Sequence, residues 1–368
     1  MELYEKLLVE DEFLETDHGE IACVDCHGGN PSDPNWETAH EGLVKDPTFP
    51  DASKACGDCH EEIVDVGKSS LHVSLLPYRV IMGKRVTPDE SVKKAVDMAM
   101  ETHCMECHSS CGQCHVSRPD SVEGGLVQGH TFMKTPPMAT NCTSCHGSRL
   151  EKEFTGKNPG IPGDVHFVKE NMKCVSCHEA GEMHGDGKEY LSMHDVANRP
   201  KCVDCHEDAG SETSKIKTHQ LHHETVSCAV CHSLEYKHCY GCHVGKDDKG
   251  LPYFQTEETV MDFKIGLNPT ITKERPYKFI TVRHVPISPS LFDYYVKGAL
   301  NNFDQVPTWK PTTPHNIQRK TPQSKSCKSC HKKAKLFLTE KDVGEEERKA
   351  NQTVIVPEPE IPTKTRKK

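Results

Sequence analysis

The sequence predicts a mostly irregular fold with short α-helices and little β-structure. Its twenty cysteines all fall into CxxC pairs. Nine of the ten pairs are crowded between Cys23 and His243, about one per 25 residues, which leaves little room for long elements. The chain is also only 35% hydrophobic and 6% aromatic, with a mean hydropathy of -0.65. A chain of 368 residues ordinarily forms two or three domains, yet this composition makes only a thin core of polypeptide alone.

The pairs are Cys23/Cys26, Cys56/Cys59, Cys104/Cys107, Cys111/Cys114, Cys142/Cys145, Cys174/Cys177, Cys202/Cys205, Cys228/Cys231, Cys239/Cys242 and Cys327/Cys330. Histidine follows the second cysteine every time: His27, His60, His108, His115, His146, His178, His206, His232, His243 and His331. Chance would produce ten such successes roughly once in 10^12, so the pattern reads as ten sites of covalent haem c attachment. Two thiols at this spacing reach the two vinyl groups of one porphyrin, and the adjoining imidazole becomes the proximal iron ligand. Zinc needs no histidine at that position and would use cysteines four at a time. Even the stretch HCMECHSSCGQCH (103–115) therefore reads as two adjacent haem sites rather than one knuckle.

Ten porphyrins would supply the apolar faces that the composition lacks, so folding is expected to depend on them. The formal net charge is -10 before any propionate is counted, which disfavours nucleic acid and anionic membrane surfaces as partners. The closing KTRKK is a local exception and reads as a solvated end. Haem c is attached outside the cytoplasm, so an extracellular or cell-surface location is expected, with the periplasm as alternative. The opening MELYEKLLVEDEFLETDHGE has no basic region followed by an apolar one, so an export leader is expected to have been removed or to lie upstream. No run of 18 apolar residues is present to span a membrane.

The expected organisation is an N-terminal arm (1–22), a nine-haem region (23–243), a motif-free subdomain or belt (244–326), the tenth haem site (327–339) and a charged, proline-containing tail (340–368). Thr87 as N-cap, Pro88 and Glu90 predict a helix from about residue 88, with Val92, Val96, Ala99 and His103 on its buried face. KTPPMAT (134–140) and NPGIPG (158–163) read as turns or loops. YKFITVRHV (277–285) predicts a strand. Ser288-Pro289 predicts the cap of a helix carrying Leu291, Tyr295, Val296, Leu300 and Phe303. The tail reads as exposed and disordered on composition, and QTVIVPEPEIP reads alternatively as a strand added to a neighbouring subunit.

Fourteen histidines lie outside the motifs: His18, His40, His72, His103, His130, His166, His184, His194, His219, His222, His223, His238, His284 and His315. Ten would close the distal side of every iron. Two strong nitrogen ligands leave no position for a substrate, which favours electron transfer over catalysis at the iron. The adjacent His222 and His223 are expected to serve a given haem singly. His18 has three open readings: an internal ligand, a surface residue, or a ligand to a haem of the next subunit. Met183 and Met193 read as packing residues, given the surplus of histidine. Gly67-Lys68-Ser69 is not a phosphate loop, because Glu62 occupies the first glycine position.

With its ten CxxCH motifs the chain resembles multihaem c-type cytochromes of anaerobic respiration, including outer-surface metal-reducing cytochromes and polymeric nanowires. VRHVP and PTWKPTTPHNIQRKTPQ look like segments of large respiratory members. The resemblance implies an architecture organised around a continuous haem stack, in closely spaced pairs. It also implies an electron carrier rather than an enzyme, serving redox partner proteins or an extracellular acceptor, as a homo-oligomer or filament. Two alternatives stand beside it. One is a reductase or oxidase of a small nitrogen or sulfur compound with one open haem, although no motif here ends in lysine as in pentahaem nitrite reductases. The other is a periplasmic subunit of a quinol-oxidising complex.

Overall fold

A computed structural model describes residues 9–104, 109–234, 241–257 and 264–362. Cys107, His108, His238, Cys239 and the KTRKK end lie outside the described residues, and of Cys242 only the backbone is described. The chain is mostly irregular, with short helices and two small sheets. It divides into two compact units: Met1–Leu76, Met105–Cys145 and His178–Tyr190 form the first, and Pro77–Cys104, His146–Cys177 and Leu191–Lys368 the second.

The first unit buries very few aliphatic side chains. Among its described residues only Val64 and Val116 are buried hydrophobics, and hydrogen bonds set much of its order. Asp46 accepts from the Thr48 amide (2.9 Å) and from the Ser110 hydroxyl (2.9 Å), while the Thr48 hydroxyl accepts from the Gly112 amide (2.9 Å). The buried Asn141 amide donates to the carbonyls of Gln113, Cys114 and Ser117, tying one cysteine motif to the next.

The second unit has a conventional core. β1 (Gly241–Lys246) and β2 (Pro252–Glu257) form an antiparallel hairpin. β3 (Lys264–Leu267), β4 (Phe279–His284) and β5 (Trp309–Pro311) form an antiparallel sheet with β4 at its centre. The predicted strand at 277–285 is thus present and slightly shorter. Ile280, Val282 and Trp309 of this sheet pack with Leu338, Val343 and Val354. A second cluster joins Met82, Val96, Ala99 and Met100 to Phe292 and Leu300.

Four local readings need correction. The helix Glu90–His103 is capped by Asp89, whose carboxylate accepts from the amides of Ser91 (2.8 Å) and Val92 (3.3 Å). Thr87 instead donates to the carbonyls of Gly298 and Ala299. Residues 289–300 form successive turns rather than a helix: Leu291, Asp293 and Tyr295 bond three residues back, and Gly298 has φ +69°. Leu291, Tyr295, Val296 and Phe303 still pack against the core, so the apolar pattern marked burial without marking helix. The stretch 134–140 is a loop only at its start, because Met138–Cys142 forms a π-helical turn.

The C-terminal segment is not an exposed tail. Val354, Ile355, Val356 and Ile361 are buried. The Leu267 amide donates to the Val354 carbonyl and the Val356 amide to the Leu338 carbonyl. Averaged charge and proline content concealed a β-branched run, of which this chain uses Val354, Ile355 and Val356 for its own core. Among the described residues no helix is long and apolar enough to cross a membrane.

Leu338 is fully buried between the sheet and this segment. Leu338→Ala is expected to lower stability by about 2–5 kcal/mol, measured by guanidinium unfolding of both proteins.

Candidate functional site

Most of the cysteine motifs coil into a single turn. Cys23–His27, Cys111–His115, Cys228–His232 and Cys327–His331 are five-residue helices, and Cys202–Cys205 is a similar turn. Residues three apart share a helix face, so both thiols emerge on one side with the histidine just beyond them. Cys56 to His60 lies within the helix Ser53–Gly67, which breaks at His60 (φ -118°, ψ 35°). His243 differs in lying on a strand, β1.

The two thiols of one motif can differ in how far they are covered. Cys56 is half-buried, whereas Cys59, its partner three residues on, is exposed along with the neighbouring Asp58 and His60. Cys23, Cys177, Cys202, Cys205 and Cys327 are exposed as well. The physical reason is the thin polypeptide core: short turns have few side chains packed over them, and Val64 is the one buried residue of the helix that carries Cys59.

Each of six motif histidines faces one histidine from outside the motifs. Ring centres are 6.2 Å apart for His27 and His130, 6.3 Å for His60 and His18, and 6.1 Å for His115 and His184. In the second unit they are 6.0 Å apart for His206 and His166, 6.1 Å for His232 and His219, and 6.0 Å for His331 and His222. His178 and His72 are electrostatic neighbours in the first unit. A metal–imidazole bond of about 2.0 Å, with the ring centre roughly 1.1 Å farther out, puts two imidazoles on opposite sides of one ion about 6 Å apart. The pairs fit two axial ligands of one haem iron. Among the described residues no three or more metal-ligating side chains converge on one point.

The ring nitrogens support this fit. The Nδ1 atoms of His27, His115, His222 and His232 lie 2.6–3.0 Å from the carbonyl oxygens of Val44, Met133, Thr218 and Gln318. Those of His166 and His178 meet the carboxylates of Asp164 (2.8 Å) and Glu182 (2.7 Å). An acceptor at Nδ1 holds the proton there and turns the Nε2 lone pair outward, as a metal ligand requires. Burial, and then the positive charge its facing imidazole would carry, pushes each of His18, His130, His184 and His219 below the ordinary histidine range. The shift favours the neutral, ligating form of these four.

Other histidines outside the motifs are arranged differently. His103 is buried on its helix as the pattern predicts, but its Nε2 lies 2.8 Å from the Tyr295 hydroxyl. His284 places Nε2 3.0 Å from the Glu347 carboxylate. His194 accepts at Nδ1 from Arg199 (2.8 Å) and bonds to the Pro311 carbonyl through its other nitrogen. These three rings direct the ligating nitrogen to protein groups. His40, His223 and His315 instead direct Nδ1 to the carbonyls of Trp36, Gln220 and Thr313, the orientation seen in the facing pairs. A cavity of about 500 Å³ beside the Cys202 motif is lined by Val203, His223, Glu224, Pro276 and Tyr277.

Neighbouring motifs approach one another through their thiols. In the first unit Cys26 acts electrostatically on Cys56, Cys56 hydrogen-bonds Cys111, and Cys114 lies near Cys142 and Cys145. In the second, Cys177 neighbours Cys202 and Cys205, Cys202 hydrogen-bonds Cys228, and Cys231 neighbours Cys330. The spatial succession is therefore Cys23, Cys56, Cys111, Cys142 in one unit and Cys174, Cys202, Cys228, Cys327 in the other. Sequence reasoning missed the partners of individual rings. Asp164, two residues before His166, and Glu182, four after His178, were local signals, whereas Met133 and Gln318 carbonyls had none.

Burial first, then Arg199, Arg275 and Lys310, push His194 down to about 3 from 6.5. The unfolded chain thus binds a proton that the folded chain refuses, so this residue's contribution is present above pH 6.5 and is lost as pH falls from there toward 3. His194→Gln is expected to flatten the acid limb of a stability–pH profile in that window, measured by guanidinium unfolding of both proteins. No family model, curated protein or solved structure matches the chain, so the reading of this site rests on its own residues.

Proposed function

We propose that the chain is a decahaem c-type cytochrome that conducts electrons in extracellular or periplasmic respiration. The observation carrying this reading is the set of facing imidazole pairs, each joining one CxxCH histidine to one distant histidine at 6.0–6.3 Å. Haem c supplies an iron that gains or loses one electron without gaining or losing an atom. The cysteines would anchor the group covalently, and the paired histidines would hold its iron from both sides, which would exclude substrate and favour low potentials. Carbonyl and carboxylate acceptors at Nδ1 fix ring orientation and raise ligand basicity. The successive thiol contacts support a relay within each unit.

The reading is of a conduit within one chain. His18, open by sequence to service in a neighbouring subunit, faces His60 of its own chain, and the C-terminal β-branched run is built into its own core. Neither feature supports a filament.

Low-temperature EPR of the oxidised protein, with haem counted by pyridine haemochrome, tests the proposal. Ten haems, all low-spin, are expected. One high-spin haem per chain that responds to nitrite, hydroxylamine or a sulfur oxyanion would replace the conduit with a reductase or oxidase. His130→Ala or His184→Ala should each create one high-spin haem per chain at unchanged haem content. His284→Ala should create none.

A further inference from the structure

We propose that Arg199, Arg275, Lys310 and His194 in the second unit form a binding site for a carboxylate or small oxyanion. Arg275 has the most telling geometry. Its Nη2 donates to the Thr270 carbonyl at 3.3 Å, whereas its Nε and Nη1 are buried with no hydrogen-bond partner. The backbone beneath it is fixed: Asn268 donates to the carbonyls of Arg275 and Tyr277 at 2.9 Å, and the Arg275 amide bonds to the Thr272 hydroxyl at 3.1 Å. A guanidinium held in place with two buried donors unused costs free energy unless an acceptor reaches it.

The neighbouring groups make that acceptor an anion. Arg199 donates to His194 at 2.8 Å, and Arg199, Arg275 and Lys310 all act electrostatically on His194. Burial first, and then the positive charges of Arg85 and Lys84, push Lys310, on β5 next to the Pro311 carbonyl that meets His194, down to about 7. Asp195 acts on Arg275 and Glu347 on Arg85, which leaves the cluster cationic. Gathering positive charge in a poorly hydrated place is unfavourable without a counter-charge, and arginine is suited to carboxylates and oxyanions. The chain as a whole carries -10, so the cluster is no reflection of general basicity. The same chemistry fits two sources: a propionate of a bound haem, or a free oxyanion.

Haem-loaded protein and its Arg275→Gln, Arg275→Lys and Lys310→Met variants should be titrated calorimetrically with nitrite, sulfite and phosphate, alongside spectroelectrochemical titration of the haems. One equivalent of oxyanion bound by the wild type and weakened at least tenfold by Arg275→Gln and Lys310→Met, with partial rescue in Arg275→Lys, assigns the site to a free ion. No binding of added anion, together with a lower midpoint potential of one haem in Arg275→Gln and recovery in Arg275→Lys, assigns it to a propionate. If folded, fully loaded variants change neither anion binding nor any potential, the proposal is overturned. If the glutamine variant loses haem or fold, the Arg275→Lys and Lys310→Met measurements decide on the same criteria.

Discussion

The facing of two imidazoles across a gap of about 6 Å is the constraint on which most of the first unit depends. His18 with His60, His27 with His130, and His115 with His184 draw together stretches that share almost no buried aliphatic surface. A compact unit normally balances the entropy of its chain by burying apolar side chains. Here the buried hydrophobics are Val64 and Val116 among the described residues, so the balance must come from elsewhere. On the proposed reading, the metal–imidazole pairs of this unit and the apolar faces of its porphyrins supply it, and binding the cofactor and folding become one process.

The second unit shows the contrast. It contains facing histidines as well, but also a three-stranded sheet and clusters around Trp309, Phe292 and Phe337. The segment after the last motif belongs to this core, with Val354 and Val356 bonded to Leu267 and Leu338 through their backbones. Most of these buried residues lie outside the cysteine motifs, where the chain folds by ordinary hydrophobic burial.

Histidine chemistry is divided by which ring nitrogen the protein occupies. An acceptor at Nδ1, such as Val44 for His27 or Glu182 for His178, leaves Nε2 available to a metal. Tyr295 at His103 and Glu347 at His284 occupy Nε2 itself. The same residue type, at similar density along the chain, therefore has two structural uses. For these four rings the surrounding acceptors distinguish the two.

On the proposed reading the sequence by itself carries the attachment chemistry, because CxxCH acts within one helical turn and needs no distant residue to place its two thiols. How far each thiol is covered was a tertiary matter, as the half-buried Cys56 and the exposed Cys59 of one motif illustrate. Sequence also located the buried face of Glu90–His103 and the strand around Phe279–His284, since periodicity and β-branching are local properties. The surplus of fourteen histidines was countable, but the partner of each was not: His27 meets His130 and His232 meets His219 across intervals set by the path of the chain. Tertiary structure likewise decided that His18 faces His60 of its own chain and that Val354, Ile355 and Val356 enter the core, against the average composition of their surroundings. A ligand pair, like a packed core, is a relation between distant residues, and its geometry exists only once the backbone has brought them together.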